Sequence, residues 1–156
     1  MTARPTEPAL SAGRENPVSW AVMTLAHAQR GLAAARLAPL GLFPGQELML
    51  LQLWDRDGRS QKELGDLLKL DHSTVAKSVQ RLERAGLVRR SRSATDGRVT
   101  LVHVTDAARA LEAPVRAVWS DLEDRLASRL TAEQVEQFTV IAARLLAADA
   151  PDAPGK

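Results

Sequence analysis

A mainly α-helical fold carrying one small β-hairpin is predicted by three features of the sequence. Aromatic residues make up 3 % of it and Tyr is absent, so Leu, Val and Ala must build the core. Long stretches free of Gly then favour helix. Hydroxyl or acidic residues stand directly before several apolar-periodic runs, where a helix needs a cap. Finally, three- and four-residue apolar spacing gives way to short β-prone runs once, on the two sides of Asp96-Gly97.

At 156 residues, with 45 % apolar and 26 % charged side chains, the chain suits one globular domain with a sizeable core. It has no Cys, which excludes disulfides, thiolate metal sites and a cysteine redox switch. Residues 1–16 contain Pro5 and Pro8 and no apolar run. They read as a disordered arm, neither a signal peptide nor a membrane span, and a cytoplasmic location follows. Residues 149–156, with Pro151, Pro154 and Gly155, read as a frayed tail. The body between them, 17–148, is expected to be a single domain.

The elements follow in order. Val18, Val22, Leu25, Ala26, Leu32 and Leu37 line one face of a first helix that Pro39 and Gly41 end. A second helix is expected from about Pro44 through Leu48, Leu51, Leu53 and Trp54 to the Asp57-Gly58 turn. Ser60-Gln61-Lys62-Glu63 is a capping box, and the third helix it opens should bury Leu64, Leu67 and Leu68. Asp71 caps a fourth helix that Gly86 stops. Leu87–Arg92 and Val99–Val104 form the hairpin, with Val102 and Val104 turned to the core. Thr105-Asp106 caps a fifth helix running to about Leu130, interrupted or bent near Pro114, and Thr131 with Gln134 caps a last one reaching about Ala148.

Helix, short turn, helix and hairpin in this order make a winged helix-turn-helix, at about residues 42–105. In the fourth helix Val75, Val79 and Leu82 must face the body, which turns Ser73, Thr74, Lys77, Ser78 and Arg81 outward. Short hydroxyls and long cations with no acid among them suit a DNA major groove. Exposed helix faces are commonly polar, so the face alone decides nothing; the three-residue turn between two capped helices is what points to DNA. On the hairpin, Arg89, Arg90 and Arg92 are placed to meet phosphates and Arg98 to enter a minor groove. Asp96 is placed to hold the Arg98 guanidinium in a bidentate pair. Charge agrees: Ser60–Val104 carries nine Lys and Arg against five Asp and Glu, net +4, in a chain of net +2.

Residues from about Leu42 to Thr105 resemble the MarR family of bacterial regulators. The pieces are Leu42-Phe43-Pro44-Gly45-Gln46, Asp71-His72-Ser73-Thr74-Val75, Arg81 through Val88, and Asp96-Gly97-Arg98 followed by Val104-Thr105. The resemblance implies a homodimer whose terminal helices, about 18–37 and 106–148, interlock and place two recognition helices in successive major grooves. It implies a pseudo-palindromic double-stranded operator, wing contact through Arg98 anchored by Asp96, and repression as the usual outcome. Gly97, where the family often has Arg, removes one cation from the tip; Ala108 replaces a frequent Gly with little consequence. Apolar rows along the terminal helices support dimerisation independently.

Members of that family often answer to a small ligand held between the dimerisation and DNA-binding regions. Trp20, His27, Arg30, Trp54 and Trp119 are the residues to inspect for such a pocket. Each also has a duller reading, Trp54 and Trp119 as core fillers and His27 as a polar helix residue. His27, His72 and His103 are too dispersed in sequence to suggest a metal site, and no cofactor is expected. No G-x-S-x-G elbow, phosphate loop, H-E-x-x-H or paired carboxylates suggest an enzyme. A winged helix serving protein contacts instead would want an apolar outward face, which Ser73, Lys77 and Arg81 do not supply.

Overall fold

The computed structural model describes residues 11–148, divided between two units, 1–118 and 119–156. In chain order it contains α1 (Ser11–Glu15), α2 (Pro17–Leu37), a 3₁₀ turn (Ala38–Leu40), α3 (Gln46–Asp55), β1 (Arg59–Ser60) and α4 (Gln61–Leu68). These are followed by α5 (His72–Arg84), β2 (Val88–Arg92), β3 (Thr100–Val104), α6 (Asp106–Ala127) and α7 (Ala132–Ala148). The mainly helical fold with a small wing is as the sequence predicts.

In the first unit the core is aliphatic. Leu37 at the end of α2, Met49, Leu50 and Leu53 of α3, Leu64 of α4, and Val75, Val79 and Leu82 of α5 lose all solvent contact. Val102 of β3 and Ala108 and Val115 of α6 complete the fully buried set, and Leu42, Leu87, Val88 and Val104 close around them. Two helix faces differ from the sequence expectation. On α3 the buried positions are Met49, Leu50 and Leu53, while Leu48 stays exposed. A run of consecutive apolar residues has no unique face, and packing chose the one that meets Leu64 and Val79 in the cluster. On α4 Leu64 is buried but Leu67 is half exposed.

Helix boundaries have visible causes. Gly45, at φ 98°, stands at the start of α3, so the helix begins at Gln46 and not at Pro44. Gln46 reaches back to accept the Phe43 N–H at 2.9 Å, and the buried Glu47 accepts that of Gly45 at 2.7 Å. Burial pushes the Glu47 carboxyl above its ordinary range, against these bonds and the Arg30 charge. Thr131 and Gln134 cap α7 reciprocally, at 3.2 and 2.9 Å. Pro114 lies inside α6, which continues through it without the interruption the sequence allowed and ends at Ala127. Ser11–Glu15, within the expected arm, is helical; residues 1–10 and the expected tail, 149–156, lie outside the described residues.

The sheet holds one more strand than the sequence revealed. Its order is β1-β3-β2, all antiparallel, with Arg59 opposite Val102 on one side of β3 and Arg90 opposite Val102 on the other. Two residues carry no alternation pattern, so β1 could be seen only once β3 lay beside it.

In the second unit α7 leaves Phe138, Val140, Ile141, Leu145 and Leu146 exposed. In the first, α2 does the same with Val18, Val22, Met23 and Leu25. No described helix is long and apolar enough to cross a membrane.

Leu50→Ala should destabilise the fold by about 2–5 kcal/mol, because a fully buried leucine leaves a cavity. Leu48→Ala, two positions earlier, should change it by under about 1 kcal/mol. Denaturant midpoints of the two variants check the assignment of the α3 face.

Candidate nucleic-acid interface

The helix-turn-helix is fastened at both ends. The Ser60 hydroxyl accepts the Glu63 N–H at 3.1 Å and the Glu63 carboxylate accepts the Ser60 N–H at 2.7 Å, while Arg56 pairs with the same carboxylate. The Ser60 N–H and the Arg56 charge hold the Glu63 carboxyl below its ordinary value, against some desolvation. Helix α4 ends where Lys69 turns left-handed at φ 55°, and the Leu70 N–H returns to the Gly65 carbonyl at 3.0 Å. Gly65 is required by closeness: a Cβ there would stand 3.0 Å from the Leu70 carbonyl and 3.4 Å from Val75 Cγ2. That contact sets how tightly α5 crosses α4.

Asp71 begins α5. Its Oδ1 accepts the Thr74 N–H at 2.9 Å and the Ser73 hydroxyl at 2.7 Å, and its Oδ2 accepts the Thr74 hydroxyl at 2.6 Å. Those donors, the Thr74 hydroxyl foremost, hold its carboxyl far below the ordinary range. Ser73 and Thr74 therefore lie where the sequence placed them, but their hydroxyl protons are committed to Asp71. Outward they offer lone pairs, and Thr74 a methyl group. Further along α5, Lys77 and Arg81 are exposed and Ser78 is half-buried. Among the described residues neither cation has a side-chain partner.

The wing arginines divide by strand parity. Arg90 and Arg92 stand on the face of Val88 and Val102; Arg89 stands on the other, opposite His103. The Arg90 Nε and Nη2 both reach Glu83 Oε2 of α5, at 2.9 and 2.6 Å, and the Arg90 backbone N–H reaches Oε1 at 3.3 Å. Arg92 Nη1 donates to the Gly97 carbonyl at 2.9 Å, across the base of the turn. Arg89 and Arg98 are exposed without side-chain partners among the described residues. The bidentate Asp96–Arg98 pair expected from sequence does not form. Asp96 Oδ1 instead accepts the Arg98 backbone N–H at 3.0 Å, an Asx turn that shapes the tip and leaves the guanidinium unheld.

A second fastening was not legible in sequence. Asp57, read there only as a turn residue, accepts the Val104 N–H at 2.8 Å and faces His103 Nδ1 at 3.4 Å, with Arg109 at 3.8 Å. His103 Nε2 lies 3.0 Å from the Ser91 hydroxyl. Gly58 must be glycine twice over: its φ is 74°, and a Cβ would lie 3.0 Å from the His103 ring. These contacts tie the loop after α3 to both hairpin strands, on the side away from α5. Forty-six residues separate Asp57 from His103, which hid the pair.

The residues named for a ligand pocket lie on α2 (Trp20, His27, Arg30), α3 (Trp54) and α6 (Trp119). Trp54 packs against the core with its indole N–H buried and without a partner, so it is chiefly a core residue. Trp20 is half-buried on α2, and His27 and Arg30 are exposed there. Trp119 belongs to the second unit and is 40 % exposed. A shallow depression of about 350 Å³ lies elsewhere, against Glu83, Arg90, Ser91, Arg92 and Thr100. Among the described residues no group of three His, Cys, Asp or Glu could hold a metal ion.

Fold and geometry together define a winged helix-turn-helix protein. Residues 43–99 match the family model described as MarR family. The HTH-type transcriptional regulator TtmR of Methylorubrum extorquens is 39 % identical over 106 residues, 64 % of this chain and 54 % of that protein. A MarR transcriptional regulator from Methanosarcina mazei superposes with a TM-score of 0.75 at 27 % identity, covering 84 % of this chain and 94 % of that one. A mutant MarR from E.coli complexed with operator DNA shares the fold, with a TM-score of 0.80 at 23 % identity over 88 % of this chain and 99 % of that one. Over its winged helix-turn-helix the chain is similar to the MarR family. It spans about half the length of the curated relatives it matches.

Desolvation raises the Asp57 carboxyl, but the Val104 N–H, His103 and the Gly58 N–H together outweigh it and the net direction is down. A depressed carboxyl stabilises the fold above its unfolded value of about 4 and loses that contribution as pH falls below it. Asp57→Asn should therefore lower the melting temperature at pH 6, and the gap from the parent should narrow as pH falls below about 4. Thermal melts across that range check the sign.

Proposed function

We propose that this chain is a transcriptional regulator that binds double-stranded DNA as a homodimer. The observation carrying this reading is the two-sided build of α5. Val75, Val79 and Leu82 are fully buried, so Lys77 and Arg81 are held outward on a rigid helix, beside a wing that presents Arg89 and Arg98. In this reading α5 enters a major groove and the wing follows the adjacent phosphates, with Arg98 reaching the minor groove. Structural relatives bound to DNA, the E.coli operator complex among them, support it.

The partner proposed for the apolar rows of α2 and of α7 is a second copy of this chain. Each row is too large to be left in water, and a two-fold pair would present two α5 helices to one side of a duplex. Regulation would be by occupancy of a pseudo-palindromic operator in the cytoplasm, without enzymatic chemistry, and release by a small molecule is the mode we favour for its control. The chain has no Cys, so such control would not run through a thiol.

Binding to a selected duplex should weaken steeply with salt, and protection should fall on two half-sites about 10 base pairs apart. Lys77→Ala and Arg81→Ala should each cost about tenfold or more in affinity. Arg98→Ala should weaken binding as well; parental affinity in that variant would remove the wing from the interface. Sedimentation should show one species of twice the chain mass. A monomer, or a footprint on one half-site, would refute the symmetric pair.

A further inference from the structure

We propose that Arg90 is a positioning residue and not a phosphate ligand: bound to Glu83, it locks the first wing strand to the end of α5, so that helix and wing approach DNA as one rigid piece. The inference rests on the DNA-binding reading and concerns which of the wing arginines does what.

Strand β2 is an edge, paired on one side only, with β3. Val102 gives its carbonyl to the Gly58 N–H on the β1 side, so its partner Arg90 has its own N–H turned away from β3, into the open edge. An edge N–H left to solvent is free to slip or to pair elsewhere. Here Glu83 Oε1 accepts it, at 3.3 Å. The other oxygen of the same carboxylate takes two guanidinium nitrogens of the same residue, at 2.9 and 2.6 Å. One acid on the last turn of α5 therefore binds both the backbone and the side chain of one strand residue.

The junction around it leaves little other freedom. Gly86, at φ 72°, turns the chain, and the Leu87 N–H returns to the Leu82 carbonyl at 2.9 Å. Without the Glu83 bonds the strand could pivot about that glycine; with them, three bonds fix it. The charge consequence is equally direct. A guanidinium whose charge is already met by a carboxylate neutralises no phosphate and releases no counterion from DNA, so Arg90 should add nothing to the salt dependence of binding. Arg89 and Arg98, unpaired among the described residues, keep that capacity. Glu83 would otherwise be a poor choice beside a polyanion.

Duplex binding over 50–300 mM salt, read by fluorescence anisotropy, tests this on the full chain. Glu83→Ala keeps helix propensity and removes a negative charge next to DNA. The lock requires that it nevertheless weaken binding, by about threefold to tenfold. Arg90→Gln should weaken binding to a similar degree at every salt with the slope unchanged, and the double variant should be no worse than either single one. Arg90→Lys keeps the charge but not the fork, and should fail to restore affinity. Three results would each overturn the inference: tighter binding by Glu83→Ala, parental binding by Arg90→Lys, or a slope reduced in Arg90→Gln by about 0.9 per lost phosphate contact, twice that in a symmetric complex.

Should the parent bind no duplex at all, the regulator reading fails, and amide exchange of the free protein decides the lock separately. The Arg90 amide should exchange at least about tenfold faster in Glu83→Ala while the Val79 and Leu82 amides are unchanged. Equal exchange of Arg90 in the two proteins would refute it.

Discussion

The burial of Val75, Val79 and Leu82 is the constraint on which the other features depend. Three apolar side chains at three- and four-residue spacing give α5 one rotational setting against α4 and β2. Every polar group on the remaining arc then acquires a fixed direction. Removing water from those side chains is worth roughly 1.5–3 kcal/mol each, more than any exposed ion pair on the same helix supplies. The face presented outward is thus decided by what is hidden, and its cations are held in place by apolar contacts rather than by partners of their own.

Around that helix the polar contacts act as fasteners. Asp71 closes its start, Glu83 ties its end to β2, and Asp57 ties the loop after α3 to β3 and, through His103, to Ser91. All three carboxyls lie below their ordinary pKa values because each receives several donors. Acids within a basic segment look opposed to nucleic-acid binding. Here each is spent on geometry: its carboxylate oxygens are taken up by nearby donors and the element it holds becomes stiffer. The region keeps its positive balance through Lys77, Arg81, Arg89 and Arg98.

The apolar rows of α2 and α7 carry a different lesson. Val18, Val22 and Met23, and separately Phe138, Ile141 and Leu146, stand in water with more than half their surface open. Left bare, such faces would favour aggregation, and the proposal of a two-fold pair is a reading of that surplus.

The winged helix-turn-helix, its turn and its caps were legible in the sequence, because they are local: the spacing of three valines and leucines, a Ser and Glu three apart, an Asp before a helix, a glycine after one. The outward set on α5 followed from the same periodicity. Tertiary structure alone decided the rest. It chose Leu50 over Leu48 on α3, added β1, and turned Asp96 to a backbone N–H instead of the Arg98 guanidinium. It also assigned Arg90 to Glu83, which strand alternation could have hinted at, since it separates Arg90 from Arg89. Caps and periodicity act within a turn or two of helix, so they are written in neighbouring residues. A bond between Asp57 and His103, or a choice among consecutive leucines, depends on what lies across the core, and nothing near them in the chain records it.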